Sequence, residues 1–313
     1  MQAIVNVAFP VFAIMALGWL TGRFGLFGAA SSEALNRFVY YVALPPLFFL
    51  STAKAPVADI LHGEFILAYG GGAALTFALG VAVARAFFPD RLAAVSLHGF
   101  STIFGNTGYM GIPLMLTAFG QAGMPPAIIT AIVNGSIVIG LATFLVELDM
   151  GRSGGKSVGA LALHAMLASL KSPLVLSPFA GIAVSAAGIA LPAAIENFCA
   201  LVGSAASPCA LFAIGLFLVG KPVAGDLREV GAICLLKLMM QPAITYALAF
   251  PLLQMDPVWA KAAVILAALP VGSTLFVVAQ TYGVYVRRAT AAILLSTALS
   301  VLTVSALLVT LGL

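Results

Sequence analysis

Apolar runs of about 20 residues, separated by short clusters of Gly, Pro and charge, follow one another along this chain. A helix rises about 1.5 Å per residue and the hydrocarbon core of a bilayer is about 30 Å thick, so each run predicts a membrane-spanning helix. The pattern predicts ten, near 3–21, 36–53, 63–86, 92–119, 125–147, 172–190, 196–219, 229–252, 258–284 and 289–311. The stretches between them read as turns, among them "GRFGLFGAASSE", "KAPVADILHG", "FFPDR" and "QMDPVWAK". Since none of them could form a soluble domain, function is expected within the membrane. A spanning barrel would instead alternate apolar and polar residues in short strands.

Two of the ten runs carry an interruption. The fourth contains "FGNTG" at 104–108, within a stretch free of Asp, Glu, Lys and Arg from Arg91 to Glu147. The ninth contains "ALPVGST" at 268–274. Pro270 has no amide hydrogen, while Gly105 and Gly108 loosen the backbone, and Pro113 follows in the same run. Backbone groups freed in hydrocarbon are costly unless they are buried in protein or line a polar cavity. Each half-helix that starts after a break presents a positive end of roughly half a charge, which outlines an anion site. The substrate-binding candidates are therefore Asn106, Thr107 and Gly108 at the first break and Val271, Gly272, Ser273 and Thr274 at the second. The competing reading of either break alone is a kink, with Asn106 bonded to a neighbouring helix. Two breaks at matching depth favour a site.

Composition turns the pattern into a class. Hydrophobic residues make up 62% of the 313, charged residues 8%, and mean hydropathy is +1.15. A soluble domain carries about a quarter charged residues, so the chain is expected to be an all-helical polytopic membrane protein with the lipid bilayer as its surroundings. Its net charge of +4 is then a topology signal and not a nucleic-acid signal. Eleven Lys and Arg (Arg23, Arg37, Arg85, Arg91, Arg152, Lys156, Lys171, Lys221, Arg228, Arg287 and Arg288) flank the odd-numbered loops, against two, Lys54 and Lys261, on the other side. The asymmetry predicts a cytoplasmic (inner) membrane location with both termini outside. The N-terminal run carries no basic leader and is read as a span, not a cleaved signal. Cys199, Cys209 and Cys234 have no pairing or metal spacing and are read as packing residues. Neither a metal nor another cofactor is expected. With no nucleophile–base pair or metal motif in view, the chain is read as a non-enzyme.

A shift of 163 positions lays Pro10, Gly18, Gly25 and Pro45 over Pro173, Gly181, Gly188 and Pro208, and "FG" at 119–120 over "YG" at 282–283. The division predicted is a first repeat over 1–150, a short cytoplasmic linker over 151–170 and a second repeat over 171–313. Five helices per repeat would invert one half relative to the other, the arrangement of many secondary transporters, whose sites lie at the repeat interface near the midplane.

In "YVALPPLFF", "GNTGYMGIPL" and "ALPVGSTLFVVAQTYG", and in its count of ten helices, the chain resembles the auxin efflux carrier family, including its bacterial malonate- or malate-permease-like members. The resemblance covers essentially the whole chain. It implies a scaffold of helices 1, 2, 6 and 7, with kinks at Pro45, Pro46 and Pro208, and a transport domain of helices 3–5 and 8–10 in which helices 4 and 9 are broken and cross. It also implies elevator-like alternating access, a small organic anion (a mono- or dicarboxylate) as substrate, Asn106 beside its carboxylate and Pro270 as the crossover proline. A homodimer through the scaffold helices is the partner expectation. Gly105 stands where plant members have proline, and Gln280 replaces a lysine, which argues against auxin itself. The alternative function is a potential-driven uniporter, a channel-like protein or a sensor without ion coupling.

Other polar residues in the apolar runs each admit two readings. Lys237 either balances an anion or snorkels to the surface. His98 either titrates or bonds a neighbouring helix. Asn134 lines the cavity or bonds another helix, and Gln280 and Tyr282 could cap the site or mark its exit. Glu196 and the remaining acids lie near helix ends, where solvation is the expectation.

Overall fold

Proline sets much of the local geometry. The computed structural model describes residues 9–56, 62–150, 173–220 and 227–313, and helix accounts for nearly all regular structure among them. We label the helices α1 (Phe9–Arg23), α2 (29–54), α3 (Gly63–Phe87), α4a (Leu92–Ser101), α4b (107–119), α5 (124–149), α6 (Pro173–Ala186), α7 (Ala193–Leu218), α8 (Leu227–Leu252), α9a (Pro257–Ala267), α9b (Thr274–Tyr282) and α10 (Val286–Thr310). The linker expected at 151–170 lies outside the described residues.

Three of the helices widen to π geometry just ahead of a proline: Val39–Ala43 before Pro45, Thr107–Gly111 before Pro113, and Leu236–Met240 before Pro242. A proline ring clashes with the carbonyl four residues back and offers that carbonyl no hydrogen. Widening the preceding turn accommodates the ring without ending the helix. Pro113, grouped with the first break in the sequence, sits in the first turn of the α-helix Ile112–Phe119. Pro45 and Pro46 sit in the first α-helical turn after their wide turn, and Pro208 follows an irregular step at Ala205 within α7.

Among the described residues, five helical stretches are long and apolar enough to cross a membrane: Gly63–Phe87, Thr107–Asp149, Ala193–Leu218, Leu227–Leu252 and Val286–Thr310. Four shorter apolar helices, α1, α4a, α6 and α9a, accompany them. The second stretch has 43 residues, which at 1.5 Å each would be about twice the hydrocarbon thickness. It folds into the two legs α4b and α5 through a 3-10 turn, Gly120–Gly123, where Gly120 takes φ +59°. α2 starts at Ala29, not near 36 as expected. Its polar first turns looked like loop, yet Glu33 and Arg37 pair at 2.7 Å and Ser32 donates to the Ala213 carbonyl at 3.2 Å.

α1 packs along α7, and α2 along α6 and α7. The approach is close because glycines face backbone. A Cβ on Gly18 would overlap the Phe212 carbonyl, one on Gly215 would overlap the Met15 carbonyl, and one on Gly181 would overlap the Phe49 carbonyl. Small residues allow such contact where hydrophobic exclusion gives no drive between helices in lipid. A second set of contacts joins α3 to α4a, α8 and α9a, and α10 to α8 and α9b.

Gly215→Val should therefore force α1 off α7. We expect it to destabilise by about 1–3 kcal/mol, the usual range for overpacking, read as a lower thermal unfolding midpoint in detergent. Gly231→Ala, where a Cβ meets only open space, should leave the midpoint unchanged.

Candidate functional site

Both interruptions read from the sequence are present. α4a stops at Ser101 and α4b starts at Thr107, while α9a stops at Ala267 and α9b starts at Thr274. The two extended segments meet. Gly105 and Val271 form an isolated antiparallel bridge, in which the Asn106 amide donates to the Pro270 carbonyl at 2.8 Å and the Gly272 amide donates to the Phe104 carbonyl at 2.9 Å. Each break thus supplies the partners that the other lost, which answers the cost of freed backbone in a water-poor setting.

Neighbouring helices supply the remaining partners. The Val271 amide donates to Ser296 Oγ on α10 at 3.0 Å. Asn134 on α5 donates from Nδ2 to Tyr69 Oη at 3.2 Å, to Thr107 Oγ1 at 3.3 Å and to the Gly105 carbonyl at 3.4 Å. Asn134 therefore ties α3 and α5 to the crossing. Lys237 is fully buried, so snorkelling is excluded. Its Nζ donates to the Ala267 carbonyl and to Gln241 Oε1, both at 2.6 Å. The ammonium thus sits at the negative end of α9a, where it offsets the helix dipole. It is also a neighbour of the crossing, since a Cβ on Gly105 would lie 3.6 Å from it.

What the crossing leaves uncommitted is the chemistry it can offer. The first turns of α4b and α9b carry amides with no intrahelical partner, and neither N-cap residue, Asn106 or Ser273, caps them with its side chain. Asn106 is 6% exposed, so a primary amide stands nearly buried beside two helix starts. Gly108 adjoins open space, and Ser273 and Thr274 are half-buried and exposed.

Other sequence candidates fall elsewhere. Gln280 is exposed on α9b, away from the bridge. Tyr282 donates to Glu147 Oε1 at 2.6 Å, tying α9b to α5. His98, near the middle of α4a, is buried with Nδ1 2.9 Å from Glu229 Oε1. The expectation that the acids near helix ends are solvated is corrected at Glu229, which is 2% exposed. Its place in the first turn of α8 concealed it. Tyr69 and Ser296 were also missed, because a lone tyrosine or serine in an apolar run carries no signal of its own. Among the described residues no cluster of His, Cys, Asp and Glu could hold a metal ion, and Cys199, Cys209 and Cys234 are free.

Residues 3–308 match the profile of a family described as membrane transport protein. A relative from Rhizobium meliloti (strain 1021), named "Putative malonate transporter", is 35% identical, with 98% of this chain and 96% of the relative aligned. "Uncharacterized transporter YfdV" of Escherichia coli (strain K12) is 26% identical, over 92% and 91% of the two chains. "Uncharacterized transporter MJ1031" of Methanocaldococcus jannaschii is 25% identical over about half of each, 49% and 50%.

The crossing depends on the small size of Gly272, since a Cβ there would overlap the Phe104 ring and lie 3.1 Å from the Gly105 carbonyl. Gly272→Ala should lower the unfolding midpoint by the equivalent of about 1–3 kcal/mol. Gly108→Ala, facing open space, should not, and parallel thermal melts would compare the two.

Proposed function

We propose that this chain, which belongs to the membrane transport protein family, that of the auxin efflux carriers, is a secondary carrier of a small carboxylate bound at the crossing of α4a–α4b with α9a–α9b. The observation that carries the reading is the buried, uncommitted Asn106 amide between two uncapped helix starts. Helix N-termini and an amide N–H are donors, and a carboxylate is acceptor-only. Lys237 adds positive potential close by. The name of the Rhizobium relative favours a short dicarboxylate. Val271 and Gly272 keep the crossing narrow, while Thr107, Ser273 and Thr274 offer hydroxyls around it.

Alternating access is supported by the two packing sets. α1 and α2 pack on α7 and α2 on α6, α3 packs on α4a, α8 and α9a and α10 on α8 and α9b, and the first turn of α4b faces α7 between the two sets. Movement of the second set against the first would carry the crossing from one side to the other. An inverted repeat is supported by the 163-residue shift. Gly18 meets Phe212 and Gly181 meets Phe49, so both partners of one contact are carried by the shift onto those of the other. The positive φ values of Gly25 and Gly188, and of Gly120 and Gly283, pair by the same shift. The arginine-rich ends are read as cytoplasmic.

Asn106→Ala should leave the protein folded and lower labelled malonate uptake into proteoliposomes by about ten- to a hundredfold, as expected for losing one hydrogen bond to a charged group. Unchanged uptake kinetics would refute the site. Competition by neutral or cationic compounds alone would refute the anion.

A further inference from the structure

Resting on the carrier reading, we propose that the buried pair His98–Glu229 is a proton-binding site, and that its proton travels with the carboxylate. The pair makes no contact with the bridge residues and forms a cluster of its own. Glu229 Oε1 accepts from the Tyr285 hydroxyl and from His98 Nδ1, and Glu229 Oε2 accepts from Arg288 Nε at 3.2 Å. Arg288 Nη1 also donates to Asp90 Oδ2 at 3.1 Å. With Nδ1–H committed to the carboxylate, the neutral ring keeps its lone pair on Nε2, a buried atom with no hydrogen-bond partner.

Charge makes the pair receptive. Arg288 is shared between the two acids Glu229 and Asp90, while Arg91 and Arg287 line the same cleft. One added proton, held as imidazolium beside carboxylate or as neutral imidazole beside carboxylic acid, neutralises the charge of the buried Glu229. The other charges around it are engaged or turned outward. On α5, Asp149 lies 4.0 Å from Arg91 and Glu147 accepts from Tyr282 of α9b. On α3, α8 and α10, Arg85, Arg228 and Arg287 are exposed, and the His98 ring stacks on Phe88.

Tyr285 supplies the way in. It takes a left-handed backbone, φ +65°, which is costly for an aromatic residue and persists only when its surroundings fix it. Its hydroxyl is fixed between Glu229 and His98, and it also lines an open cleft at the arginine-rich end together with Asp90, Arg91 and Arg288. Burial and the adjacent carboxylate push the phenol well above its ordinary range, so it remains a proton-bearing relay. A proton from water in the cleft can pass through this hydroxyl to the pair and leave by the same route, with no other chemical change.

The site lies on α4a, α8 and α10, within the packing set that carries the crossing. In that position one proton cancels one charge of a carboxylate moved with it, and so reduces the work done against the membrane potential.

The test uses proteoliposomes holding a pH-sensitive dye, with malonate as probe. In wild type, malonate entry should acidify the lumen, and an inward proton gradient should raise uptake several-fold. His98→Gln should keep malonate–malonate counterflow within about twofold, with both proton effects abolished, whereas a purely structural role would lower counterflow as well. Glu229→Gln, which keeps the side-chain shape, should give the same split and serves if His98→Gln does not fold. Wild-type malonate entry without lumen acidification would overturn the inference and leave the carrier reading standing, as would a variant coupled like wild type. Absence of counterflow of any carboxylate in wild type would overturn both.

Discussion

The antiparallel bridge between Gly105 and Val271 is the contact on which the rest of the arrangement depends. A helix broken inside an apolar bundle exposes donors and acceptors that lipid cannot satisfy. Here two broken helices satisfy one another through Asn106 N to Pro270 O and Gly272 N to Phe104 O. Asn134, Ser296 and Lys237 then take up the neighbouring groups that the bridge does not reach. Because the crossing is closed by backbone, the Asn106 side chain is left over for another partner.

The polar residues buried in this protein divide by task. Asn134, Lys237 and Ser296 hold the crossing in place, each spending its hydrogen bonds on backbone or on neighbouring side chains. Glu229, His98, Tyr285 and Arg288 form a separate group at the start of α8. On the proposed reading, one group shapes where the anion sits and the other sets how much charge moves with it. Both lie on helices that pack together, so displacement of one implies displacement of the other.

Much of this was legible in the sequence. The twin breaks "FGNTG" and "ALPVGST" stood out because Gly, Pro and Asn are poor helix formers placed in the middle of apolar runs. The glycines that let α1 approach α7, and α2 approach α6, surfaced through the 163-residue shift. What escaped was pairing across long sequence distances. Glu229 looked solvated at a helix start, and only the fold brings His98 and Tyr285 to it. Lys237 could be placed in α8, but its partner, the Ala267 carbonyl, exists as a free acceptor only because α9a ends there. The polar opening of α2 misled for the opposite reason, since local charge pairing on an exposed helix resembles loop composition.

A junction written in main-chain atoms has an evolutionary consequence. Side chains at 104–106 and 270–274 can be exchanged, within the steric limit set at Gly272, without removing either hydrogen bond that closes the crossing. On the proposed reading, selectivity is then free to drift while architecture stays constant. Carriers for chemically different cargoes could descend from one frame by point substitution, with no intermediate having to pass through an unfolded or leaky ancestor.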